Sequence, residues 1–299
     1  MIWSEYLKEY ESFLRLEKSL SENTVDAYIK DLVKFIEYLE NNSFSRSPKD
    51  ITQNIIRDFI DYINEEGMSE RSQARVLSGI KSFFKYLLIQ DELDVDPSSL
   101  IETPKIGRKL PVTLSVEEID ELISAINLDK GIGYRNRAIL EVLYGCGLRV
   151  SELVSLKITN VFFDENFIKV QGKGNKERLV PMGEKTKETI YDYIEYHRNI
   201  IEINKKYENI LFLNRLGHKL TRVMIFTIIK DLAIKIKLNK PISPHTFRHS
   251  FATHLLEGGA DIRVIQEMLG HESITTTEIY THLDKEYLKD VILRFHPRS

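Results

Sequence analysis

One cysteine, Cys146, is all that the 299 residues contain. That excludes an intrachain disulfide framework and any zinc site built on several cysteines. No apolar run is long enough to cross a bilayer. The opening Met1-Ile2-Trp3-Ser4-Glu5-Tyr6 lacks the basic stretch and apolar core of a signal peptide, so none is expected. Internal repeats and low-complexity tracts are missing too. Strong charge of either sign is absent, with a net charge of −3 and a pI near 6.3. Such a sum does not advertise a nucleic-acid binder, but it is blind to distribution, and a basic channel can sit on an acidic body. The expectation is a soluble, reduced, cytoplasmic protein.

What is present is ordinary for a globular chain, 42% hydrophobic and 29% charged, with length enough for a core and for two domains. The first hundred residues have helical periodicity. Ile2–Leu16 is amphipathic. A second helix starts near Ser21 or Asn23 and carries Val25, Ile29, Leu32, Ile36 and Leu39 on one face. Ser43 to Asp50 is a polar loop. Ile55, Phe59, Ile60 and Ile63 mark a third helix ending at Gly67, and a fourth begins at Ser69. Arg71, Arg75, Lys81 and Lys85 lie along the fourth, either as a face for a DNA backbone or as an ordinary solvated face.

Pro97, Pro104 and Pro111 keep the following stretch extended, with Lys105, Arg108 and Lys109 between them. The stretch is a plain connector or a strap across phosphates. The expected division is an N-terminal helical domain over 1–103, a linker over 104–112 and a second domain over 113–299.

The second domain opens on a capping box, Ser115-Val116-Glu117-Glu118. A helix from about Tyr134 to Leu143 stops at Gly145-Cys146-Gly147. Arg149 follows, with Glu152 three residues on and able to orient its guanidinium. Val161–Phe163, Phe167–Gln171 and Arg178–Pro181 have the pattern of three short strands joined by turns at 164–166 and 172–176. Helices are expected near Glu184–Ile203, Arg222–Ile236, His245–Leu256 and Asp261–Leu269, then a short one around Tyr280. The tail, Tyr287–Phe295, leaves Leu288, Val291 and Ile292 in need of burial. The fold class is mainly α with a small antiparallel β-sheet.

The chemistry gathers in this second half. His245 and Arg248, three apart on a helix, share a face. An arginine fork matches two phosphate oxygens, and Arg149 is a second cation of the same kind. Lys173, at a hairpin tip between Gly172 and Gly174, is either an exposed ornament or a cation free to reach a minor groove or protonate a leaving oxygen. Tyr280 is either a buried aromatic or a nucleophile. A phenol with a pKa of about 10 needs a base or cationic surroundings to react, and His245, His271, Arg149 and Arg248 supply both kinds. His245 and His249 have the i, i+4 spacing of a zinc helix. The intervening Thr246-Phe247-Arg248 holds no glutamate and puts a cation between the ligands, so no metal and no cofactor are expected. His254 and His282 are expected to be structural.

In order and spacing, Arg149 in Gly147–Leu153, Lys173 in Gly172–Arg178, His245-x-x-Arg248, Leu269-Gly270-His271 and Tyr280 resemble the tyrosine recombinases, or phage integrase family. Within that family the chain is similar to the bacterial XerC/XerD type, its linker and tail more to XerD. The resemblance covers essentially the whole chain, and all six signature positions match. It implies a four-helix, SAM-like core-binding domain followed by an α+β catalytic domain.

It also implies a site-specific recombinase. Tyr280 would form a 3′-phosphotyrosyl link. Arg149, Arg248 and His271 would bind the phosphate, Lys173 would protonate the 5′-oxygen, and His245 would assist proton transfer. Strand exchange would pass through a Holliday junction in a tetramer, the C-terminal tail docking on a neighbour and burying Leu288, Val291 and Ile292. The implied partners are double-stranded DNA at a dif-like site, a second Xer-type recombinase or further copies of this chain, and an FtsK-type translocase, in the resolution of chromosome dimers. A mobile-element integrase of the same chemistry, a non-catalytic DNA-binding protein and a metal-dependent nuclease are the rival readings.

Overall fold

In the computed structural model, which describes residues 3–18, 20–44, 47–104, 112–172, 177–270 and 285–299, the chain divides into two units, Met1–Lys109 and Leu110–Ser299. The first is built from α1 (Trp3–Leu16), α2 (Glu22–Asn41), α3 (Gln53–Glu65) and α4 (Glu70–Ile89). Apolar residues recur at helical spacing in each, so each buries one stripe. Rings fill the centre. Trp3 stacks on Phe83 with centroids 5.9 Å apart, and Tyr10 meets the same ring edge-on at 5.3 Å. Thr52 and Ser69 cap α3 and α4, their hydroxyls accepting from the amides of Ile55 and Ser72. The expected polar loop after α2 contains a 3-10 turn over Pro48–Asp50.

The basic positions of α4 are not alike. Arg75 donates to buried Asp31 of α2 at 2.6 Å. Lys81 donates to the carbonyl of Ile101, also at 2.6 Å. Both hold this unit together, although Arg75, like Arg71 and Lys85, is exposed. The linker cations Lys105, Arg108 and Lys109 lie outside the described residues.

The second unit is centred on α6 (Gly131–Gly145), whose Ala138, Ile139, Leu140, Val142, Leu143 and Tyr144 are all fully buried. Before it stands α5 (Val116–Ser124), with the expected capping box at Ser115 and Glu118. After it come α7 (Val150–Val154) and a three-stranded antiparallel sheet, β1 (Val161–Phe162), β2 (Phe167–Gln171) and β3 (Glu177–Pro181), in the order β1-β2-β3. The register pairs Ile168 with Val180 and Val170 with Arg178. The chain is then helical again through α8 (Glu184–Tyr193), α9 (Arg222–Lys235), α10 (Pro244–Gly258), α11 (Ile262–Leu269) and α12 (Lys285–Phe295).

Two details depart from the sequence reading. The helix expected over 184–203 keeps α geometry only to Tyr193. It then widens into a π turn, Ile194–Arg198, closed by the Asn199 amide on the Ile194 carbonyl. Arg198, buried there, is spent on the carbonyls of Glu208 and Ile210. The second departure concerns the tail. Leu288, Val291 and Ile292 are buried in this unit's own core, with α12 against α10 and β3, so no neighbouring chain is needed to cover them.

Past α12 the last residues are seated as well. Arg298 Nε lies 3.1 Å from Oε2 of buried Glu141, and its guanidinium also pairs with Asp120. His296 is buried beside the rings of Tyr144 and Phe251. Tyr144 in turn shares a 2.7 Å hydrogen bond with Nδ1 of His254, which is thereby a satisfied structural histidine.

Candidate active site

Two sharp turns bring the cationic side chains together. The first follows α6. Gly147 has a φ of +57°, and a Cβ on it would stand 2.5 Å from the Phe251 ring, so only glycine fits. Its carbonyl accepts from Arg248 Nη1 at 2.8 Å. Two residues on, Arg149 is the N-cap of α7. Glu152, at the third helical position, reaches back to the Arg149 amide at 2.8 Å, the return half of a capping box. The same carboxylate accepts from Arg149 Nη1 at 2.9 Å, so the expected i, i+3 orientation is present.

The second turn closes α11. Asp261 caps the start of this helix through the amide of Arg263. At the other end Gly270 adopts a φ of +65° as a left-handed terminator. The last carbonyls of a helix lack internal partners and carry the negative end of its dipole. Here three successive ones are taken by three arginines. Arg178 Nε binds the Met268 carbonyl at 2.8 Å, Arg248 Nη2 that of Leu269 at 2.6 Å, and Arg149 Nη2 that of Gly270 at 3.0 Å. The next residue is His271. His271, Tyr280, Lys173 and the structural histidine expected at His282 lie outside the described residues.

Arg248 is the most confined of the three. Pro244 at the first turn and the Ser243 amide bonded to Thr246 Oγ1 set the start of α10. The helix then carries Arg248 inward, where it is 7% exposed. Burial, followed by the neighbouring charge of Arg149 and a smaller one from Arg178, lowers its pKa to about 10, with Glu152 opposing. It remains a cation at neutral pH. His245, one turn earlier on α10, is exposed. The structure thus places Arg149 and Arg248 on adjoining carbonyls of one corner, with His245 at the open end of the helix that supplies Arg248.

Sequence spacing alone does not single out Arg178. It grips Glu152 bidentately, Nη1 to Oε1 at 2.7 Å and Nη2 to Oε2 at 2.9 Å. Glu152 is 6% exposed. Burial alone would raise its carboxyl; the bonds and charge of Arg178, with the bonds from Arg149, outweigh burial and hold it below the usual carboxylate range. A signal was available. Strand alternation puts Arg178 on the same face as Val180, which is fully buried. A cation at a core-facing strand position requires a buried anion.

Two guanidinium groups on one carboxylate, with that of Arg248 on the adjoining carbonyls, leave net positive charge at the corner, and Arg149, 34% exposed in its side chain, is the most solvent-accessible of the three. Chemically, such a corner suits an anion with several acceptor oxygens, such as a phosphodiester. Among the described residues, no group of three or more His, Cys, Asp or Glu side chains is placed to hold a metal ion.

Residues 113–287 match the phage integrase family, and residues 7–91 match the phage integrase N-terminal SAM-like domain. The chain is 43% identical to a tyrosine recombinase XerD of Staphylococcus haemolyticus, over 98% of this chain and 99% of that protein. It is 42% identical to a tyrosine recombinase XerD of Listeria innocua, over 99% and 100%. Among solved structures, XerA recombinase aligns over 99% of both chains at 31% identity with a TM-score of 0.51. A XerH site-specific recombinase bound to a palindromic difH substrate aligns over 95% of this chain and 83% of that one. Its TM-score is 0.71 at 24% identity, a likeness of fold.

Proposed function

This chain belongs to the phage integrase family of tyrosine recombinases, and from that premise we propose that Tyr280 is the nucleophile of a site-specific DNA recombinase whose phosphate clamp is Arg149 and Arg248. The Tyr280 oxygen attacks the scissile phosphorus. The new bond is Tyr280 Oη to phosphorus, the bond that breaks is phosphorus to the 5′-oxygen, and a 3′-phosphotyrosyl link remains. The phenol proton leaves with help from His245, and Lys173 delivers a proton to the departing 5′-oxygen. Arg149, Arg248 and His271 stabilise the added charge of the five-coordinate phosphorus. A 5′-hydroxyl from a partner strand then reverses the step, so the energy of the phosphodiester is kept in the link and strands are rejoined.

The observation that carries this reading is the pairing of Arg149 and Arg248 on the Leu269 and Gly270 carbonyls, one residue ahead of His271. Two cations held by backbone carbonyls need no reorganisation when negative charge develops. In the cell, the reading is resolution of chromosome dimers at a dif-like site. The chain would act in a tetramer with a second Xer-type recombinase or with its own copies, under an FtsK-type translocase. The near-full-length relatives called XerD support that assignment.

A nicked suicide substrate carrying a dif-like site tests the chemistry. Wild-type protein forms a covalent protein–DNA band and Tyr280→Phe does not; a band that persists in Tyr280→Phe removes the assignment. Recombination between two dif-like sites, with and without a second recombinase, tests the partner.

A further inference from the structure

We propose that Arg178 is a positioning residue for strand cleavage, saturating Glu152 so that Arg149 keeps its outer edge for the phosphate. The inference rests on the reading of Arg149 and Arg248 as the phosphate clamp, and it adds a residue that this reading does not contain.

A carboxylate offers about four lone-pair positions. On Glu152 the Arg149 amide takes one, on Oε2, and Arg149 Nη1 takes one, on Oε1. Arg178 takes one on each oxygen. Nothing is left for a second guanidinium N–H of Arg149, which is held on Glu152 through one nitrogen and on the Gly270 carbonyl through the other. The rest of its five donors stay available.

Without Arg178, two positions on a buried carboxylate fall open beside a guanidinium that prefers a two-pronged grip. Arg149 would turn onto Glu152 and away from an incoming phosphate. Arg178 acts on the other wall too. Its Nε holds the Met268 carbonyl, and a Cβ on Gly270 would stand 3.1 Å from Arg178 Cδ. The Gly270 corner is therefore packed directly on this side chain. Through one carboxylate and one helix end, Arg178 links β3, α7 and α11.

The test is single-turnover formation of the covalent complex on the nicked substrate, with DNA affinity measured separately by mobility shift. Arg178→Ala should slow covalent-complex formation about 10²-fold, the scale of an ångström-level misplacement in an active site. DNA affinity should stay close to wild type, because backbone contacts elsewhere on the duplex carry it. Arg178→Lys, with the charge but not the fork, should fall between. The decisive variant is the pair Arg178→Ala with Glu152→Gln. A neutral amide has no charge with which to recruit Arg149, so the double variant should cleave faster than Arg178→Ala alone.

A role confined to folding predicts the opposite, losses that multiply, and that result overturns the proposal. So does a wild-type cleavage rate in Arg178→Ala. If Arg178→Ala does not fold, Arg178→Lys and Arg178→Gln with and without Glu152→Gln provide the same comparison. Wild type and Tyr280→Phe run alongside keep the two levels apart. Loss of the band in Tyr280→Phe with no effect of Arg178 sinks this inference alone, whereas equal bands in wild type and Tyr280→Phe sink the reading beneath it.

Discussion

Arg178 and Arg149, one on a strand and one at a helix start, are joined through a single buried carboxylate, Glu152, and meet again on the Met268 and Gly270 carbonyls at the end of α11. The relationship makes Glu152 a structural anion, its two oxygens holding two arginines. Truncating it leaves two cations facing each other beside a third, Arg248. Removing one partner of a buried ion pair costs about 3–5 kcal/mol. Glu152→Ala should therefore lower unfolding stability by about 3 kcal/mol in denaturant titration, and cleavage should be lost with it.

Arg248 makes a different prediction, because its partners are backbone carbonyls rather than a carboxylate. Replacing it with lysine keeps the charge but not the geometry that reaches Gly147 and Leu269 together. Arg248→Lys should therefore cleave about 10²–10³-fold more slowly than wild type, the cost of a lost transition-state donor. Single-turnover kinetics on the nicked substrate would measure it.

The Gly147 turn sets a stability prediction. Alanine there meets both a left-handed φ and the Phe251 ring. The backbone term is about 1–2 kcal/mol and overpacking adds about 1–3 kcal/mol. Gly147→Ala should destabilise the catalytic unit by about 2 kcal/mol or more and shift the carbonyl that Arg248 holds. Thermal unfolding at neutral pH is the check. An unchanged midpoint would mean the turn is not under the constraint described.

How much of this was legible beforehand divides along the range of the interactions. Glu152 three residues from Arg149, the Asp261 cap, the Ser115 box and the turn at 164–166 are local, and three-residue spacing or turn chemistry declares them, whereas the turn expected at 172–176 lies largely outside the described residues. Arg178 was visible only as one residue of a basic hairpin, since its partners come from α7 and α11 and sequence spacing does not measure such distances. The tail shows the same limit. The apolar stripe of Leu288, Val291 and Ile292 announced burial but not whose core would provide it. The π turn at Ile194–Arg198 had no local signal, because one widened turn leaves the apolar period of the helix almost unchanged.

Acid should weaken the seat of the C-terminus. Burial first, then the charges of His254 and Arg298, push the His296 imidazole down to about 3. In the unfolded chain it titrates near pH 6.5. The folded state thus binds this proton more weakly, so the stability it contributes is complete above about pH 6.5 and is lost as pH falls toward 3. Glu141, whose carboxyl burial raises, acts with the opposite sign. Thermal midpoints of wild type should drop between about pH 6 and pH 4, and those of His296→Phe should drop less.

The measurement closest to the central claim is the chemical identity of the covalent adduct. Protein trapped on the nicked substrate is digested with protease and nuclease, and the DNA-linked peptide is sequenced by mass spectrometry. The expected product is a nucleotide joined through its 3′-phosphate to the oxygen of Tyr280. An adduct on any other residue, or a 5′-phosphate linkage, would contradict it.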